Sequence, residues 1–191
     1  WIYSHATNAQ RTALPTVTRI QVAKAGVVNV LNTPSSINFG LMKLNGDDGG
    51  TLVSPIGTAR ATIISSVNSL RGDSWTPLAE TLVDALDYFK TTGTGAPITA
   101  SCQKSFIILA TDGHPTKDLN VPSYLRDYDG DGLDPGNCAS IGAPNPNSDD
   151  CSGYMDDVAT YLYANDMRTD IEGFQNVTTF VIGFALNGPL L

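Results

Sequence analysis

Eight residues in the second half of the chain, Asp127-Tyr128-Asp129-Gly130-Asp131-Gly132-Leu133-Asp134, put carboxylates at alternate positions with glycines among them. Glycine lets the backbone curl so that several oxygens converge on one hard cation, and the chemistry expected of Asp127, Asp129, Asp131 and Asp134 is Ca2+ coordination. The loop is not an EF-hand, because Cys138 stands at the twelfth position, where a bidentate Glu would close the site. Any further carboxylate must come from Asp134, Asp149 or Asp150. Four carboxylates this close repel one another without a cation. The alternative is a solvated acidic loop.

A second place for hard-cation chemistry is Asp112, which directly follows the apolar run Phe106-Ile107-Ile108-Leu109-Ala110. In open α/β sheets, ligands bind outside the carboxyl ends of the strands. Thr76 begins a helix after an irregular loop, so a helix-start hydroxyl and a strand-end carboxylate are available as oxygen ligands for Mg2+ or Ca2+. The plainer reading of Asp112 is a turn residue that caps its own loop.

Nucleophilic catalysis finds little support. Gly72-Asp73-Ser74 is similar to the nucleophile block of one class of esterases, but the histidines are His5 and His114, and neither stands in an Asp-x-x-His arrangement. Without a base, Ser74 is a loop residue and the chain reads as a non-enzyme. Arg71-Gly72-Asp73 is a tripeptide that some integrins recognise, and also what a turn before a helix prefers. Asn176-Val177-Thr178 has the pattern of a glycosylation sequon, but its place at a strand start favours a structural role.

The cysteines are Cys102, Cys138 and Cys151. The last two are close enough for a disulfide to close a small loop and stabilise a Pro/Gly/Asn-rich stretch that has almost no apolar content. The chain holds 20 Thr, 14 Ser and 13 Asn in place of the usual Lys and Glu. Together these point to an oxidising, extracellular compartment, with buried free thiols as the alternative.

Apolar spacing predicts the elements that must position these residues. Helices are expected over 16–32, capped by Thr16 or Thr18, over 59–70, from Thr76-Pro77, with the Thr76 hydroxyl as cap and Leu78, Leu82, Ala85, Leu86 and Phe89 as buried face, and over 154–167. Strands are expected over 37–44 and 51–56, joined as a hairpin by Gly46-Asp47-Asp48-Gly49-Gly50, and over 106–110 and 177–184. The last two are apolar throughout, as in strands covered on both faces. Helices alternating with buried strands indicate an α/β domain with a largely parallel sheet.

Composition agrees. With 191 residues, 41% apolar and 16% charged, the chain is neither disordered nor collagen-like and can bury one core. The net charge of −8 argues against a nucleic-acid partner. That charge is local: residues 118–157 carry nine acids and one base, whereas the remainder is balanced. No apolar run approaches the about 18 residues that a membrane span needs. The start at Trp1 reads as that of a processed or excised piece.

Ser74-Trp75-Thr76-Pro77-Leu78 with Phe106 through Gly113 resembles the later two elements of the metal-ion-dependent adhesion site of von Willebrand factor A domains. Wider phrases are similar to the N-terminal region of the PilY/PilC family of type IV pilus tip-associated adhesins and biogenesis factors. They are Phe39-Gly40-Leu41-Met42, Thr76 to Leu82, Cys102 to Phe106, Asp156-Asp157-Val158-Ala159 and Gln175 to Phe180.

The resemblance runs from about residue 18 to residue 186. It implies a von Willebrand A-like, Rossmann-type sheet flanked by helices over 1–191, with a Cys-containing acidic calcium-loop insertion at 118–153. It implies metal-dependent adhesion at a pilus tip or bacterial outer surface, to a host or abiotic receptor. The other role it implies is a structural assembly factor that primes or caps the pilus by binding minor pilins. The family's Asp-x-Ser-x-Ser element and first strand are missing, so the chain reads as an internal fragment of a longer adhesin. Of the usual ligands only Thr76 and Asp112 remain. The missing strand is central in the family, and its loss would separate the hairpin from the two later strands unless a neighbouring segment supplies it.

Overall fold

A computed structural model describes residues 17–46, 48–72, 75–132 and 151–184. In chain order the elements are α1 (Arg19–Asn32), β1 (Leu41–Leu44), β2 (Gly50–Ser54), α2 (Arg60–Ser69), α3 (Leu78–Lys90), β3 (Ser105–Thr111), a 3-10 turn (Ser123–Leu125), α4 (Tyr154–Ala164) and β4 (Val177–Gly183). Every expected element is present with shifted ends. The fold is mixed α/β.

The strands form two pairs. β1 and β2 make the expected antiparallel hairpin, with Leu44 opposite Gly50 and a register irregularity at Leu41/Met42. β3 and β4 run parallel from Ser105/Val177 to Thr111/Gly183. Among the described residues no ladder joins the pairs.

One helical layer supports both. Helix α3 packs on β1 and β2, α4 packs on β4, and the two helices pack on each other. The expected apolar face of α3 is the centre of this core: Leu78, Leu82, Ala85, Leu86 and Phe89 are all buried. Met155, Val158 and Leu162 of α4 join them, with Leu109 and Val177 from the parallel pair. Fully burying a side chain of this size contributes about 1.5–3 kcal/mol. A smaller cluster holds α1 to α2 through Leu31, Ile63 and Val67, with Phe39 and Leu41 packed against it.

Among the described residues the parallel pair is covered on one face only, which differs from the expectation from its apolar runs. Ser105, Leu109 and Thr111 are buried, while Phe106 is 57% exposed, Ile108 61%, Phe180 53% and Ile182 53%. The reason is placement. Helices α1 and α2 lie with Phe39 and Leu41 at the hairpin.

Side chains from α3 also fasten the hairpin. Glu80 accepts the amide of Gly49 at 2.9 Å and Asp84 that of Gly50 at 2.6 Å. Tyr88, one turn further on, accepts the amide of Ile56 at 2.8 Å. This spacing of four residues puts the polar groups on one stripe of the helix.

Helix starts follow two routes. Thr18 and Gln21 form a capping box at α1, with Thr18 Oγ1 accepting the Gln21 amide at 3.4 Å and Gln21 Oε1 accepting the Thr18 amide at 2.8 Å. At α3 the expected Thr76 cap is replaced. Asp118 accepts the amides of Ala79 and Glu80, at 3.1 and 3.0 Å, while the Thr76 hydroxyl turns to the loop after β3.

Candidate metal centre in the acidic loop

The acidic loop grows out of the core. After β3 the chain buries Asp118, Val121 and Leu125, then turns at Arg126, whose Nε donates to the Val121 carbonyl at 2.7 Å. Its guanidinium stands over the Tyr154 ring, 5.6 Å from the centroid. The near end of the expected 118–153 insertion is therefore part of the fold.

Beyond Arg126 the backbone reverses tightly. Asp127 has φ +50°, Gly130 +78° and Gly132 +74°, a left-handed region that glycine enters without steric cost. The amide of Gly130 donates to the Asp127 carbonyl at 3.3 Å. Asp127 Oδ1 accepts the Gly132 amide at 2.8 Å, and Asp129 Oδ1 accepts the Asp131 amide at 3.1 Å.

These turns gather Asp127, Asp129 and Asp131, all exposed, so that one oxygen of each lies within 4.8 Å of the others. Two oxygens each about 2.4 Å from one calcium ion can be at most about 4.8 Å apart, so the spacing and the all-oxygen donor set suit a hard cation. Asp134, Asp149 and Asp150 lie outside the described residues.

The loop rests on α4. The Asp129 amide donates to Asp157 Oδ1 at 3.1 Å. Tyr128 packs edge-on to Tyr161 at 5.1 Å, and its hydroxyl accepts from Asn165 Nδ2 at 3.0 Å. Burial pushes the Asp156 carboxyl up to about 6, and the charges of Asp129 and Asp157 push the same way. Asp157 is raised too, chiefly by burial and only partly offset by the Asp129 amide. Like charges thus accumulate where the chain carries its net negative charge, and a bound cation would relieve them.

The residues at the carboxyl end of β3 are arranged differently. Thr76 lies beside Gly113, the residue after Asp112, where an added Cβ would lie 3.6 Å from Thr76 Cγ2. Thr76 Oγ1 donates to the His114 carbonyl and lies 2.8 Å from Thr116 Oγ1. Asp112 faces Arg19, at 3.5 Å.

Other candidates separate cleanly. Asp73 and Ser74 lie outside the described residues, as do His5 and Cys138. Cys151 is buried and disulfide-bonded, and Cys102 is free and exposed. Asn176 of the sequon donates to the Tyr163 carbonyl at 2.8 Å, a structural use of its amide.

Two functional-looking acids escaped sequence reasoning. Asp118 is fully buried, receives the Ser152 hydroxyl at 2.9 Å as well as the start of α3, and has its carboxyl pushed up to about 7, first by burial. Glu80, also buried, accepts the amides of Gly49 and Asn120. Their signal was an acid in an apolar helix turn and another just before a buried Val, patterns too common to single out alone.

No family model matches the chain, and neither does a curated protein or a solved structure. Among the described residues no helix is long and apolar enough to cross a membrane.

Proposed function

We propose that the chain is a non-enzymatic, extracellular interaction domain whose acidic loop binds Ca2+ through Asp127, Asp129 and Asp131. The observation that carries this reading is the convergence of their three carboxylate oxygens within 4.8 Å. Bound Ca2+ would offset two of the loop's negative charges and fix Tyr128 and its neighbours as part of a contact surface. The resemblance in the phrases around Thr76, Asp112 and Asp156 supports a von Willebrand A-like part of a type IV pilus tip adhesin, with the rest of the adhesin and a surface receptor as partners. The separation of the hairpin from the parallel pair supports a sheet that lacks a central strand.

Calorimetry tests the metal. Ca2+ added to the chain should release or absorb heat with a stoichiometry near one and raise the unfolding temperature. A free ion at about 100 times its dissociation constant adds about 2.7 kcal/mol of stability. No heat and no stabilisation, with the chain folded, would sink the proposal. Attachment assays on bacteria carrying D127N/D129N/D131N then test adhesion: attachment should fall while surface pili remain, and loss of the pili themselves would point to assembly.

A further inference from the structure

The resemblance leaves Thr76 and Asp112 as a partial adhesion site, at which metal binding by this chain alone would be weak or nil, and the surroundings of these residues add a local reason. Thr76 is committed to the loop after β3. Its hydroxyl donates to the His114 carbonyl and pairs with Thr116 Oγ1. Its amide donates to Thr116 Oγ1 at 3.0 Å, and its carbonyl accepts the Thr116 amide at 3.0 Å. The Thr76 hydroxyl therefore serves to fasten two loops.

Asp112 already has a cation. Arg19 Nη1 is 3.4 Å from its main-chain oxygen and 3.5 Å from Oδ2. Arg19 is the first residue of α1, where the helix dipole disfavours positive charge, and no acid stands in that first turn. Asp112, a carboxylate from outside the helix, offsets that charge. The capping box at Thr18 and Gln21 fixes the helix start, and Ile20 packs by Gly72, where an added Cβ would lie 3.5 Å from Ile20 Cβ.

From this geometry we infer that Arg19 is the resident cation at the carboxyl end of β3 and keeps divalent metal off Asp112. A second positive charge brought to the same carboxylate would meet like-charge repulsion as well as a partly used oxygen. Metal dependence in this chain then belongs to the acidic loop, and the end of the sheet presents a fixed organic cation in place of an exchangeable ion.

Mn2+ broadening of backbone amide signals tests the inference, in the D127N/D129N/D131N background so that the acidic loop does not contribute. At low Mn2+ the amides of residues 112–114 should stay sharp with Arg19 intact and with R19K, which keeps the charge. They should broaden with R19Q, at an Mn2+ concentration about threefold or more below that needed for the parent, the size expected of an exposed ion pair. Arg19 is mostly exposed, so R19Q should fold, and its unperturbed amide spectrum without Mn2+ checks this. Equal broadening of parent and R19Q, or none in R19Q, overturns the inference. The same titration with the acidic loop intact reports separately on that loop, so the two metal assignments stand or fall independently.

Discussion

Asp118 Oδ1 accepts the backbone amide of Glu80 at 3.0 Å, a bond that spans 38 residues of sequence. With the neighbouring bond from Ala79, it satisfies two of the orphan donors at the start of α3, the helix on which the hairpin rests. A local cap would fasten only its own helix. This one also fixes the segment leaving β3 and, through Ser152, the chain entering α4.

Removing that carboxylate should be costly. D118A leaves two helix amides and the Ser152 hydroxyl short of an acceptor inside the fold, and the expected loss is about 1–3 kcal/mol. D118N, which keeps one acceptor oxygen, should lose less. Urea unfolding of the three proteins checks both the size and the order.

The same group sets a pH dependence. Burial raises the Asp118 carboxyl from 3.8 to about 7, so the folded state binds a proton more tightly than the unfolded chain. Its contribution to stability is fully present below about 3.8 and is lost as pH rises through about 7. Asp156, raised to about 6, acts in the same direction. Urea midpoints measured from pH 5 to pH 8 without Ca2+ should therefore fall as pH rises, and D118N should show a shallower slope. A carboxyl carbon signal of Asp118 titrating near 4 would remove the basis for this expectation.

Gly49 is a further sensitive point. Its φ is +58°, and a Cβ there would land on the Asp84 carboxylate. G49A should therefore carry both backbone strain and a displaced hydrogen bond, a loss of about 1–3 kcal/mol. Thermal unfolding checks it, with G46A as control: Gly46 has φ +65° but nothing within 4 Å of an added Cβ, so the smaller effect is expected there.

How much of this could be read from the sequence depends on the distance over which each residue acts. The face of α3 was legible because Leu78, Leu82, Ala85, Leu86 and Phe89 repeat at the helical period, and burial follows from that period alone. The curl at Asp127–Gly132 was legible for the same reason, since alternating carboxylates and glycines act within a few residues. Asp118 at α3 was not, because its partners lie 38 and 39 positions away and Thr76-Pro77 offered a plausible local cap. Nor was the open face of the parallel pair. Apolarity of Phe106 and Ile108 says that these side chains avoid water, not which element reaches them.

That open face gives the last prediction. Phe106 and Phe180 meet across the parallel pair with their rings tilted and centroids 6.1 Å apart, both more than half exposed, as are Ile108 and Ile182. Little apolar area is lost to water when such residues are replaced, so F106T and I108T should each cost under about 1 kcal/mol. L82A, from the closed side, creates a cavity and should cost about 2–5 kcal/mol. The exposed patch should also bind a hydrophobic dye such as ANS in the folded protein, and F106T/I108T should reduce that signal without lowering the unfolding midpoint in proportion. If instead F106T destabilises as strongly as L82A, another part of the polypeptide covers this face in solution, and the parallel pair is closed on both sides after all.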